Sequence, residues 1–106
     1  MVEDAHKLFN EMIEKGIPPD TVTYTAIIQG FCNIGQWEQV KKLLNQMKHH
    51  SVSPTIYTYS LLVDALCKEG LVEEAKDIIK SMIQKGTHPD AVTYNALMDG
   101  YCLQGR

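Results

Sequence analysis

With 106 residues, 44% of them apolar and 22% charged, the chain is long enough for one modest core and has a composition ordinary for a soluble protein. No apolar run approaches the roughly 20 residues a membrane-spanning helix needs, and no charged-then-apolar leader of the secretory or organellar kind opens it. A net charge of −3 counts against a partner held mainly through its phosphates, which normally shows as an excess of lysine and arginine.

Taken in chain order, residues 3–15 predict a helix whose apolar face is Ala5, Leu8, Phe9 and Met12, with Gly16 and then Pro19 ending it. Residues 22–33 predict a second, because Tyr24, Ile27, Ile28 and Phe31 fall at i, i+3, i+4 and i+7. Gly35 stands where that helix should stop, since glycine tolerates the left-handed C-terminal conformation. A third helix, 37–49, opens on Trp37, read as a wedge between helices, and carries Val40, Leu43, Leu44 and Met47. His49-His50 at its end meet the negative pole of the helix dipole. Residues 57–68 repeat the second pattern with Tyr59, Leu62, Val63 and Leu66, closed by Gly70. Residues 72–85 repeat the third with Val72, Ala75, Ile78, Ile79 and Met82, closed by Gly86 and Pro89, and begin on the dipole-matched Glu73-Glu74. Residues 92–103 carry Tyr94, Leu97, Met98 and Tyr101, closed by Gly105. Tyr24, Tyr59 and Tyr94 all follow the apolar stripe and are expected in the core.

The repetition is a period. Shifted by 35 residues the chain falls on itself without a gap: Met12, Met47 and Met82; Pro19, Pro54 and Pro89; Thr23-Tyr24, Thr58-Tyr59 and Thr93-Tyr94; Cys32, Cys67 and Cys102; Gly35, Gly70 and Gly105; Glu3, Glu38 and Glu73. The three cysteines are explained by this period. An odd count with wide, equal gaps is a poor disulfide framework, and no C-x-x-C spacing suggests a metal knuckle, so they read as reduced core thiols in a reducing compartment. The expected architecture is an all-α solenoid of helical hairpins. It divides into the second half of a truncated repeat at 1–20, complete repeats at 21–55 and 56–90, and the first half of another at 91–106. An array divided this way has no polar caps, and its two end helices should expose apolar surface.

No Gly-rich phosphate loop, nucleophile elbow or H-E-x-x-H is present, and the carboxylates form no evident constellation, so the expectation is no enzyme, no metal and no cofactor. The small polar residues Thr25, Ser60 and Asn95 each follow an aligned tyrosine, where a short hydroxyl or amide can hydrogen-bond a ligand without blocking it. Read as local structure alone, Asp20 and Asp90 are N-caps and Thr25 and Ser60 are surface filler. Tyr57 either stacks on a planar ligand or covers a neighbouring helix.

Three segments carry a family resemblance: Val92 to Cys102 (Val-Thr-Tyr-Asn-Ala-Leu-Met-Asp-Gly-Tyr-Cys), Asp64 to Ala75, and Met82 to Asp90. Together with the period they resemble the plant pentatricopeptide repeat family, P-type, with a restorer-of-fertility-like flavour, and the chain reads as an excerpt of a longer array. The resemblance implies a right-handed superhelix that binds single-stranded RNA, one base per repeat. It implies base reading by Thr25, Ser60 and Asn95 together with Asp20, Thr55 and Asp90, and clamping of bases by Val22, Tyr57 and Val92. Lys68 falls where such repeats place a basic residue near phosphate, whereas Asn33 and Leu103 at the equivalent positions are not basic. The family's pairing rules turn these residues into the preference 5′-(G/U)-(purine)-G-(C/U)-3′, although Thr55 departs from the usual Asp or Asn. The other lysines, Lys7, Lys41, Lys42, Lys48, Lys76, Lys80 and Lys85, lie on the second helices, so the groove should be poorly charged and the salt dependence of binding shallow. The resemblance further implies organellar RNA processing, stabilisation or translation, in a mitochondrion or alternatively a chloroplast. A protein-binding helical scaffold, or self-association through the uncapped end helices, is the rival reading.

Overall fold

The computed structural model describes residues 2–103, which form six α-helices and, among the described residues, no strand. They are α1 (Val2–Glu14), α2 (Thr21–Asn33), α3 (Trp37–His49), α4 (Ile56–Lys68), α5 (Val72–Gln84) and α6 (Ala91–Leu103). Each predicted helix is present with its ends shifted by no more than one residue. Gly105, expected to close the last one, lies outside the described residues. Helices of 13 residues are marginal alone in water, so packing along the apolar stripes must hold them. The chain divides into two compact units, one ending at Pro54 and one beginning at Thr55.

In the first unit α2 packs against both α1 and α3. Tyr24, Ile28 and Met47 are fully buried there. The Phe9 and Tyr24 rings meet edge to face at 5.2 Å, and the Tyr24 hydroxyl lies 3.1 Å from His50 Nδ1 just past the end of α3. In the second unit α4 packs against α5 and α6, burying Leu62, Val63, Ala75 and Met82.

The first five helices stop in one way. After α3 the Val52 amide donates to the Met47 carbonyl at 2.9 Å and the Ser51 amide to Lys48 at 3.2 Å, the paired bonds of a Schellman motif. The same pair recurs after α1, α2, α4 and α5, with glycine at positive φ at the turning residue (Gly16, Gly35, Gly70, Gly86). At the third of these turns in chain order Ser51 takes φ +57° instead, a conformation that crowds any Cβ.

Two sequence expectations are corrected. Tyr94 is not a core residue but 48% exposed, and Cys102, expected as a core thiol, is exposed in the last turn of α6. The cause is which face of α6 is covered. Thr93, Ala96 and Gly100 turn inward, while Tyr94 and Met98 remain open. Tyr24 is covered by Phe9 on one side and approached by His50 on the other, and no described helix plays the second part for Tyr94. The expected apolar exposure of the end helices is present: Leu8 and Ile17 around α1, and Tyr94, Met98 and Leu103 on α6. Leu8 and Ile17 border an open, mostly apolar groove of about 420 Å³.

Gly100 marks the close approach of α6 to α4. A Cβ there would stand 2.7 Å from both Cβ and Sγ of Cys67. Gly100→Ala should destabilise the chain by about 1–3 kcal/mol in urea unfolding, the usual cost of overpacking. Ser51→Gly should act in the opposite direction, stabilising by about 1 kcal/mol through relief at the positive φ; an unchanged urea midpoint would mean that Ser51 carries no strain.

Candidate nucleic-acid interface

Each first helix (α2, α4, α6) begins at a side-chain cap. The residue before it accepts from the backbone of a threonine three positions on, satisfying an amide that the helix leaves unpaired. Asp20 Oδ1 takes Thr23 N and Oγ1, both at 2.9 Å. Thr55 and Thr58 make a reciprocal capping box, with Thr58 N to Thr55 Oγ1 at 3.4 Å and Thr55 N to Thr58 Oγ1 at 3.3 Å. Asp90 Oδ1 takes Thr93 N at 3.1 Å and Thr93 Oγ1 at 3.0 Å. The local reading of Asp20 and Asp90 as N-caps is therefore realised. In both, the hydrogen bonds from the threonine, backbone first and hydroxyl second, pull the carboxyl below its ordinary range. Both are thus ionised acceptors at neutral pH. Because the folded value is depressed, the cap's contribution is present above the ordinary carboxylate pKa and is lost as pH falls through the depressed one.

In the second unit, α4 and α6 frame an open cleft of about 410 Å³. Ser60 and Asn95 line it, with the exposed side chains Tyr57 and Val92 beside them, so four of the residues singled out in the sequence come together. Ser60 Oγ lies 2.9 Å from Thr93 Oγ1, which ties it to the cap of α6. Two carboxylates missed at the sequence level, Asp64 and Asp99, also line this cleft. Each stands one turn beyond the polar residue of its own helix, and the two are 35 residues apart, the signal by which they could have been found. Lys68 is exposed and pairs with Asp64 at 3.0 Å across one helical turn.

The first unit differs. Thr25, expected as surface filler on local grounds, is buried (6% exposed), and its hydroxyl donates to the Thr21 carbonyl at 2.7 Å. Val22 is 75% exposed beside it. The Thr21 hydroxyl donates in turn to the Ser53 carbonyl at 3.1 Å, fastening the start of α2 to the segment after α3.

The thiols divide by burial. Burial pushes Cys32 up to about 11, and it raises Cys67 as well, helped by the negative charges of Asp64 and Asp99. Among the described residues no group of three or more His, Cys, Asp or Glu could hold a metal ion, and no helix is long and apolar enough to cross a membrane.

Hairpins repeated at a fixed period, each opened by a side-chain cap, define an all-α helical-repeat protein of the solenoid class. The PPR repeat family model matches residues 1–33, 19–68 and 61–103, and the chain belongs to that family. A pentatricopeptide repeat-containing protein of Arabidopsis thaliana is 48% identical over 40 residues, covering 37% of this chain and 8% of that protein. Among solved structures, the pentatricopeptide repeat protein PPR10 from maize matches 99% of this chain with a TM-score of 0.87 and 29% identity. PPR10 in complex with an 18-nucleotide psaJ RNA element matches 95% with a TM-score of 0.83 and 31% identity. The chain spans 15% of the length of either PPR10 chain.

Thiol accessibility offers a direct check on the packing. At neutral pH, a disulfide reagent should modify Cys102 quickly and Cys32 and Cys67 only after unfolding, because a buried thiol with a raised pKa is neither reachable nor ionised. Equal rates for all three thiols in the folded chain would contradict the burial described.

Proposed function

We propose that this chain binds single-stranded RNA and reads about one base per repeat, with repeats at 21–55 and 56–90. The observation that carries the proposal is the cleft between α4 and α6, where Ser60 and Asn95 stand beside the exposed Tyr57 and Val92, one hydroxyl away from the carboxylate of Asp90. Short polar groups suit base edges, and flanking apolar and aromatic side chains suit base faces. The solved PPR10 complex with RNA supports the same reading by similarity.

In this proposal Ser60 with Asp90 takes G, Asn95 takes a pyrimidine, Thr25 with Thr55 takes a purine, and Asp20 contributes to reading G or U. Lys68 shares its charge with Asp64, which weakens its pull on phosphate. Together with the acidic cleft, this makes backbone attraction weak, so discrimination rests on base edges and the salt slope is shallow. The role proposed for the parent array is organellar RNA processing, stabilisation or translation in a plant, in the mitochondrion or alternatively the chloroplast, and a restorer-like P-type array fits that role.

A second reading, a protein-binding or self-associating scaffold, draws on the exposed Tyr94, Met98 and Leu103 of α6 and the apolar groove beside α1. Binding of short RNAs to an array carrying these repeats separates the two. Fluorescence anisotropy should show a preference for G at the third position of 5′-(G/U)-(purine)-G-(C/U)-3′, and Ser60→Asn should move it towards U by about tenfold, or about 1.4 kcal/mol. Binding blind to base identity in a folded, monomeric array would favour the scaffold.

A further inference from the structure

The hydroxyl of Thr93 lies between the two groups proposed to read one base, and it has one proton to give. That proton goes to Asp90 Oδ1, 3.0 Å away, an oxygen that can only accept while the carboxylate is ionised. The oxygen of Thr93 is then an acceptor towards Ser60 Oγ at 2.9 Å, so the proton on that contact must be the one from Ser60. Thr93 is fully buried, so its hydroxyl has these two groups as the partners described. The order Ser60 O–H to Thr93 O–H to Asp90 carboxylate is therefore fixed in direction.

Taking the base-reading proposal above as its basis, we infer that Thr93 is a positioning residue that polarises the site. It consumes the only proton of Ser60, so the Ser60 oxygen meets the cleft as an acceptor alone. A serine hydroxyl is ordinarily ambivalent and discriminates poorly between donors and acceptors. Held this way it accepts only, next to a carboxylate that also accepts only. Two acceptors set one hydroxyl apart suit a base edge with adjacent N–H donors, such as N1–H and N2–H₂ of guanine. They penalise an edge whose ring nitrogen is a lone-pair acceptor, as in adenine, because two acceptors left facing each other lose a hydrogen bond on both sides. Thr93 touches no base in this scheme. It acts through Ser60 and Asp90.

Two readouts on the same variants test this, one of them free of RNA. Thr93→Val keeps the shape and the backbone amide that caps Asp90 but removes the relay, and Thr93→Ser restores the hydroxyl. Carboxyl ¹³C NMR of the chain without RNA should show the Asp90 pKa rising towards its ordinary value in Thr93→Val and staying depressed in Thr93→Ser. Titration of short single-stranded RNAs with G or A at the third position, followed by amide shifts, should show the G preference falling about three- to tenfold in Thr93→Val, the size of one lost neutral hydrogen bond, with recovery in Thr93→Ser. Thermal unfolding confirms that the variants compared are folded, and if Thr93→Val does not fold, Thr93→Ala replaces it in both measurements. An Asp90 titration unchanged by Thr93→Val overturns the relay, and so does a G preference that survives the loss of the hydroxyl in a folded chain. If the unaltered chain binds G and A equally while Asp90 still responds to Thr93→Val, the base-reading proposal has failed, and the polarising role with it. That case is recognisable because the RNA-free arm behaved as expected.

Discussion

The hydrogen bond from the residue before each first helix to the threonine inside its first turn organises much of what is described here. It satisfies an amide that α2, α4 or α6 would otherwise leave unpaired. It also fixes the rotamer of that threonine: Thr58 and Thr93 are both fully buried, and a hydroxyl in such a place must have a partner. At α6 the consequence runs further, because the orientation of Thr93 determines what Ser60 can do in the cleft. A capping interaction, ordinarily a matter of about 1 kcal/mol of helix stability, thereby reaches the open cleft between α4 and α6.

That dual use explains why the two readings of Asp20 and Asp90, as caps and as recognition groups, need not compete. A carboxylate has two oxygens and about four acceptor positions. In Asp90 both threonine bonds fall on Oδ1. Capping therefore leaves acceptor capacity on an exposed group, and the depressed pKa keeps it charged. Thr55 is the exception: its single hydroxyl is committed to a reciprocal box with Thr58, so it offers far less to a base. The departure of Thr55 from aspartate at this position thus has a local structural counterpart in a different kind of cap.

Much of the fold was legible in the sequence because the period repeats every physical signal at once. Helix-spaced apolar residues, turning glycines and prolines recur together, so an error at one boundary is corrected by its neighbours 35 residues away. Ser51 shows the strength of this redundancy: the turn survives where glycine is missing. What the period could not supply was the environment at the ends. Tyr94 and Cys102 occupy the same register as Tyr24 and Cys32, and register alone predicts burial for all of them. Their exposure follows from which faces are covered, a property of neighbours and not of pattern. The site was legible only in part for the same reason. Ser60 and Asn95 were singled out through the family resemblance, but Thr93 was seen merely as half of a repeated dipeptide and Asp64 only as the first residue of a resembling segment.

On the proposal that this surface reads RNA, electrostatics decides which part of the ligand it is suited to meet. Asp64 and Asp99 line the cleft beside Ser60 and Asn95, and Lys68, one turn beyond Asp64, is paired with it. A phosphate brought into the cleft would face two carboxylates and compete with Asp64 for one lysine. A base edge bearing N–H donors faces the same carboxylates favourably. The overall charge of −3, an objection to nucleic acid if binding must come from phosphate contacts, is thus compatible with a ligand whose bases turn inward and whose phosphates stay out. Such a surface gains little from non-specific attraction, and a wrong base leaves acceptors unpaired against acceptors. On that proposal, discrimination per base is set by hydrogen-bond polarity, and overall affinity by how many repeats act together.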